Sequence, residues 1–146
     1  MATTWIVAAD DSRARVLQVT DRHLAEIDGL VNPAGRAQDR ELQTDAEPRF
    51  NGTPGGPPSD PERPSAVEHS VQVFAREVGR YLNKARIAQR FDRLVLVAPP
   101  KFLGALRKEL HKEVEKLVAG ELPKDLSWLS AREIERYVAK ESERAP

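Results

Sequence analysis

The sequence predicts an α/β protein: a mixed sheet of about five strands, antiparallel at its N-terminal end, with helices packed against it. Three observations carry this reading. Two short runs rich in β-formers, T-W-I-V-A-A-D at residues 4–10 and R-A-R-V-L-Q-V-T at residues 13–20, flank the turn Asp11-Ser12 and read as a hairpin. An apolar stripe at spacings of 3 and 4 runs from Val67 to Ala88, as one face of a helix requires. An unbroken apolar run, L-V-L-V-A at residues 94–98, lacks alternation and so predicts a strand covered on both faces.

Each element follows from its residues. In the second run Arg13, Arg15, Leu17 and Val19 face one way, and Ala14, Val16 and Gln18 the other. A third run, His23 to Val31, follows the polar turn Asp21-Arg22 and completes an antiparallel meander. From Asn32 to Pro64 the pattern stops: seven of 33 residues are Pro, and Leu42 and Phe50 are the only bulky apolar side chains. This segment reads as a mobile loop, either a passive connector or a functional tip. The long helix opens at Ser65, where Ser65 and Glu68 have the S-x-x-E spacing of a capping box. Pro99-Pro100 opens a second helix, whose stripe of Leu103, Leu106, Leu110, Val114 and Leu117 extends to a break at Gly120. Glu121 to Leu126 is expected as an edge strand, because Pro123 allows pairing on one side only. Ser130 to Lys140 closes the chain as a helix, with Ser130 and Glu133 again in capping-box spacing.

Length and composition narrow the function. The 146 residues suit one domain, spanning 1–146, and 32% of them are charged while the formal net charge is zero. No global field therefore draws the chain to nucleic acid or to an anionic membrane. The absence of cysteine excludes a disulfide framework, a thiolate metal site and a cysteine nucleophile. The apolar start W-I-V-A-A is too short for a signal segment and runs into Asp10 and Asp11. No run approaches the length of a membrane span. A cytoplasmic protein without membrane insertion is the expectation.

Few residues offer chemistry. Asp10 and Asp11 are adjacent acids at a strand end, but neighbouring strand side chains diverge, and turn formation is the plainer role. Pro99 and Pro100 stand where a buried strand feeds a helix, a ligand position in open α/β sheets. Asp10, Asp11, Pro99 and Pro100 therefore form a candidate ligand pocket. His23, His69 and His111 fit no metal-ligand spacing, no serine lies in a nucleophile motif, and neither a metal nor a cofactor is expected. Charge is more suggestive. Residues 65–90 carry a net +3 and residues 101–116 a net +2, whereas the loop carries −2. Arg76, Arg80 and Lys84 are candidate nucleic-acid-binding residues, against the plainer role of solvated charge on an outer helix face.

The segments T-W-I-V-A-A-D-D-S-R-A-R-V-L, F-D-R-L-V-L-V-A-P-P-K-F-L-G-A-L-R and G-E-L-P-K-D-L-S, in this order and spacing, resemble the bacterial host attachment protein family. That family is named for a proposed role in attachment to host cells, and the resemblance runs from Trp5 to Tyr137. The family in turn looks like a relative of the middle domain of archaeal and eukaryotic class-I peptide-chain release factors, which implies a ribonuclease H-like fold. This second likeness places Gly55 and Gly56 where the release factors carry their catalytic G-G-Q loop. Pro57 stands in place of the Gln, with neither its amide side chain nor a backbone N–H to offer, so peptide release is not implied. The loop tip Gly55, Gly56 and Pro57 is the remaining candidate contact. Two functions follow as expectations. One is a non-catalytic RNA- or ribosome-associated factor, of the kind that acts in translation stress or hibernation. The other is a protein–protein interaction module that serves attachment, directly or indirectly. An enzyme with a composite site around Asp10, Asp11 and Pro99-Pro100 is a third and weaker reading.

Overall fold

The structure, a computed structural model, describes residues 2–33 and 66–144. The loop tip Gly55, Gly56 and Pro57, the cap residue Ser65 and most of the Pro-rich segment lie outside the described residues. Strands β1 (Thr3–Ala9), β2 (Arg13–Thr20) and β3 (His23–Val31) form the antiparallel meander. Helix α1 (Ala66–Ile87) then leads to β4 (Arg93–Val97), which pairs with β1 in parallel. Helices α2 (Pro100–Glu109) and α3 (Lys112–Glu115) precede β5 (Val118–Leu122), and α4 (Ala131–Arg144) ends the chain. The sheet order is β3-β2-β1-β4-β5, the mixed five-stranded sheet expected.

Alternation along the central strands divides the core into two layers. Trp5, Val7, Ala9, Ala14, Val16, Leu94 and Leu96 face α1 and α2, where Phe74, Val78, Leu82, Phe102, Leu103 and Leu106 complete the packing. Ile6, Ala8, Leu17 and Val97 point to the other face and meet Ile134 of α4 and Leu126. Trp5 is fully buried, its ring 4.9 Å from that of Phe91, and its N–H donates to Gln18 Oε1 at 3.1 Å. The polar edge of the indole is thus paired inside the core, as a buried Trp requires. At the end of α1, Gln89 takes a positive φ of 58° and the amide of Arg90 donates to Ala85 O, which closes the helix without a glycine.

Two expectations are corrected. The apolar stripe from Leu103 to Leu117 is not one helix: Leu110 is extended (φ −77°, ψ 136°), and His111 starts a new turn by accepting the Glu113 amide on Nδ1 at 3.0 Å. A straight helix over residues 110–117 would run on by about 12 Å, whereas the Leu117 carbonyl must accept the Leu94 amide to start β5. Pairing with β4 therefore outweighs helix continuity. Likewise β5 runs from Val118 to Leu122 rather than from Glu121 to Leu126, with Gly120 inside the strand opposite Val95. It ends directly before Pro123 and, among the described residues, is an edge strand paired with β4 alone.

The α1–α2 crossing turns on one glycine. A Cβ at Gly79 would lie 2.6 Å from the Glu109 carbonyl oxygen, a backbone atom at the end of α2. A Cβ at Gly104, also helical, would meet nothing within 4 Å. Opposite outcomes are expected in urea denaturation. Gly79→Ala should lose about 1–3 kcal/mol through overpacking, and Gly104→Ala should gain up to about 1 kcal/mol from helix propensity. Equal effects would contradict the close approach at Gly79.

Candidate functional site

The carboxyl ends of the parallel strands β1 and β4 gather the acids and prolines of the candidate pocket, then separate them. Asp10 turns into structure: its Oδ1 accepts the amides of Ser12 (2.8 Å) and Arg13 (2.9 Å), and its Oδ2 lies 2.9 Å from Ser127 Oγ. Asp11, the next residue, instead belongs to the lining of a cavity of about 190 Å³, together with Pro99, Lys101, Phe102 and the α1 residues Val67, Glu68, Val71 and Gln72. Both acids follow the end of β1 at Ala9, in the turn that leads to β2. Pro100 begins α2 and is not part of the cavity wall. Thus Asp11 and Pro99 share one cavity, while Asp10 braces a turn.

Sequence reasoning missed the loop that Asp10 holds. Ser127 is 1% exposed, and its hydroxyl also lies 2.8 Å from Asp125 Oδ1; with one proton it donates to one carboxylate at a time. Arg13 and Arg15 both donate to the Ser127 carbonyl at 2.7 Å, and Arg15 also forks onto Glu26. That hydrogen-bonded pairing with the guanidinium holds the Glu26 carboxyl below the usual carboxylate range. So braced, the loop presents Trp128 to solvent: the indole is 70% exposed, although its N–H is fixed on the Asp125 carbonyl at 3.0 Å. A rigid, exposed Trp is the residue type that dominates protein interfaces.

The basic residues of α1 lie on its outer face. Arg76, Arg80 and Lys84 are all exposed and stand one helical turn apart, about 6 Å per step. Arg76 pairs with Glu109 at 3.4 Å, whereas Arg80 and Lys84 have no ion-pair partner among the described residues. Glu77 is exposed on the same side and offsets part of the charge. Further along, Arg86 is held by Asn83, and the Arg90 guanidinium lies 5.0 Å from the centroid of the Trp5 ring. Both keep positive charge at the C-terminal end of the same helix, where the helix dipole also favours it.

Tyr81, one turn from Lys84, connects α1 to the edge strand: its hydroxyl donates to Asp28 Oδ2 at 2.7 Å. Burial, and then this hydrogen bond, raise the Tyr81 phenol to about 12. The same bond, with the Gly29 amide, holds the Asp28 carboxyl below its ordinary value.

Comparison with known proteins places the chain in context. The family model described as "Protein required for attachment to host cells" matches residues 5–138. A Rickettsia prowazekii protein, RP470, is 35% identical over 74 residues, which is 49% of this chain and 48% of that protein. The match thus spans about half the length of the curated relative. Among solved structures, the archaeal translation termination factor aRF1 aligns with 97% of this chain and 39% of its own, at 10% identity and a TM-score of 0.46. An Aquifex aeolicus Ppx/GppA phosphatase aligns with 84% and 35%, at 11% identity and a TM-score of 0.40. The termination factor is the remote likeness named from the sequence. Both structural likenesses are too loose to bear on activity.

The Tyr81 contact gives a direct test with a definite sign. Its raised phenol stabilises the fold fully below the unfolded value of about 10, and that contribution is lost as pH rises through about 12. Asp28, being lowered, contributes above the ordinary carboxylate range, and its share is lost as pH falls through the lowered value. In a Tyr137→Phe background, phenolate absorbance should titrate near 12, and Asp28→Asn should move the midpoint partway towards 10. A midpoint already at 10 would contradict the geometry.

Proposed function

The chain belongs to the family described as required for attachment to host cells, and from that membership we propose that it serves attachment as a binding protein that engages RNA, ribosomal RNA included. The carrying observation is the ridge of Arg76, Arg80 and Lys84 along one exposed face of α1. Cations one turn apart can follow a phosphate backbone, and the net charge of zero means that this attraction is local rather than global. The role is non-catalytic in this reading, the protein is cytoplasmic, and its effect on attachment is indirect. Among the described residues no helix is long and apolar enough to cross a membrane.

A salt titration tests the ridge. Binding of a single-stranded RNA oligonucleotide should weaken with salt, and replacing Arg76, Arg80 and Lys84 with Glu should flatten the log–log slope by about 2, at roughly 0.7 per lost phosphate contact. Affinity and slope unchanged by the triple replacement would overturn the proposal.

Trp128 favours a second reading, a protein–protein module, because a braced and exposed indole suits an interface anchor. The two readings separate in a host-cell attachment assay. If RNA binding underlies the phenotype, the triple charge reversal should lower attachment while Trp128→Ser leaves it near wild type. The opposite pattern would favour a protein partner.

A further inference from the structure

We propose that the cavity at the carboxyl ends of β1 and β4 is a binding site for a small zwitterion with an apolar body, of the size and chemistry of a free aliphatic or aromatic amino acid. The inference is independent of the RNA reading, since the cavity lies between the N-terminal turns of α1 and α2, whereas the cationic ridge begins at Arg76.

Three features of the cavity select the ligand. Its walls are apolar where the helices face each other: Val67, Val71, Phe102 and Ala105 line it, and Val67 is an exposed large hydrophobic residue in this structure. Its lining includes charged residues of both signs, Asp11 just after β1 and Lys101 in the first turn of α2. Neither side chain has a hydrogen-bond or ion-pair partner among the described residues. Finally, about 190 Å³ exceeds the space of one or two waters but falls below the 300 Å³ or more of pockets that hold drug-sized ligands.

These features exclude simpler ligands. A purely apolar molecule would leave Asp11 and Lys101 unused at the rim. A simple anion would leave the acidic Asp11 unmatched in the same lining. A zwitterion satisfies the site as a unit: its ammonium donates to Asp11, its carboxylate accepts from Lys101, and its side chain replaces water against Phe102 and the α1 valines. Charge-assisted hydrogen bonds to the two charged groups on the ligand's α-carbon would supply orientation, and burial of the side chain would supply affinity.

The test uses the full chain and L-leucine, L-methionine and L-phenylalanine as probes, followed by amide chemical shifts. The expected result is saturable shifts confined to residues around Asp11, Val67–Gln72 and Pro99–Ala105. Asp11→Asn and Lys101→Met should each weaken binding about tenfold, the equivalent of one lost charge-assisted hydrogen bond. Both positions are exposed, so both variants should fold, and an unchanged thermal midpoint verifies it. Two one-ended probes complete the experiment. Isoamylamine lacks the carboxylate and 4-methylpentanoate lacks the ammonium, and each should bind more weakly than leucine by a similar factor. No saturable shifts at millimolar leucine would overturn the site. Equal binding of isoamylamine and leucine would overturn the zwitterion in favour of a cation site, and binding indifferent to both substitutions would place the ligand elsewhere.

Discussion

The architecture depends on β1 being satisfied on four sides at once. Its backbone pairs with β2 in antiparallel and with β4 in parallel fashion, and its side chains from Trp5 to Ala9 are buried alternately in two layers. A strand so enclosed has no polar group to leave unpaired, because each buried N–H and C=O must find a ladder partner. Pairing with β4 then requires a crossover long enough for a helix, which α1 supplies. The same requirement forces the chain to bend at Leu110 so that β5 can reach β4. Helix geometry yields to sheet geometry wherever the two compete.

The candidate surfaces follow from that sheet. Past the end of β1, Asp10 is tied to the Ser127 loop, whereas Asp11 belongs to the cavity lining beside Pro99. Burial of the Phe74, Val78 and Leu82 side of α1 leaves Arg76, Arg80 and Lys84 on the opposite face, facing solvent. The tight approach at Gly79 brings the end of α2 close enough for Glu109 to engage Arg76, so that Arg80 and Lys84 are the less encumbered members of the ridge. On the other face of the sheet, Arg13 and Arg15 fix the carbonyl that precedes Trp128 and so hold an aromatic side chain in water.

Local patterns carried much of this in the sequence. β2 and β3 have the expected bounds, α1 starts and ends within a residue or two of its stripe, and Ser130 and Glu133 exchange the two hydrogen bonds of a capping box. What escaped was set by distant contacts. No residue near Leu110 signals a helix break, since the cause is the pairing of Leu117 with Leu94. Nothing in D-L-S-W marks Ser127 as the partner of an aspartate 117 positions earlier. Lys101 and the α1 valines likewise join Asp11 only once the crossover is built.

The chain belongs to the host attachment family and carries an exposed cationic ridge. The proposed association of the native protein with RNA rests on that ridge. Sedimentation of a gentle, low-salt, magnesium-containing lysate tests this most directly, with cells taken in growth and in stationary phase. Co-migration with ribosomal or other RNA-containing particles, released by high salt or by ribonuclease, is the expected result. Confinement to the top of the gradient in both phases, at low salt, would contradict it.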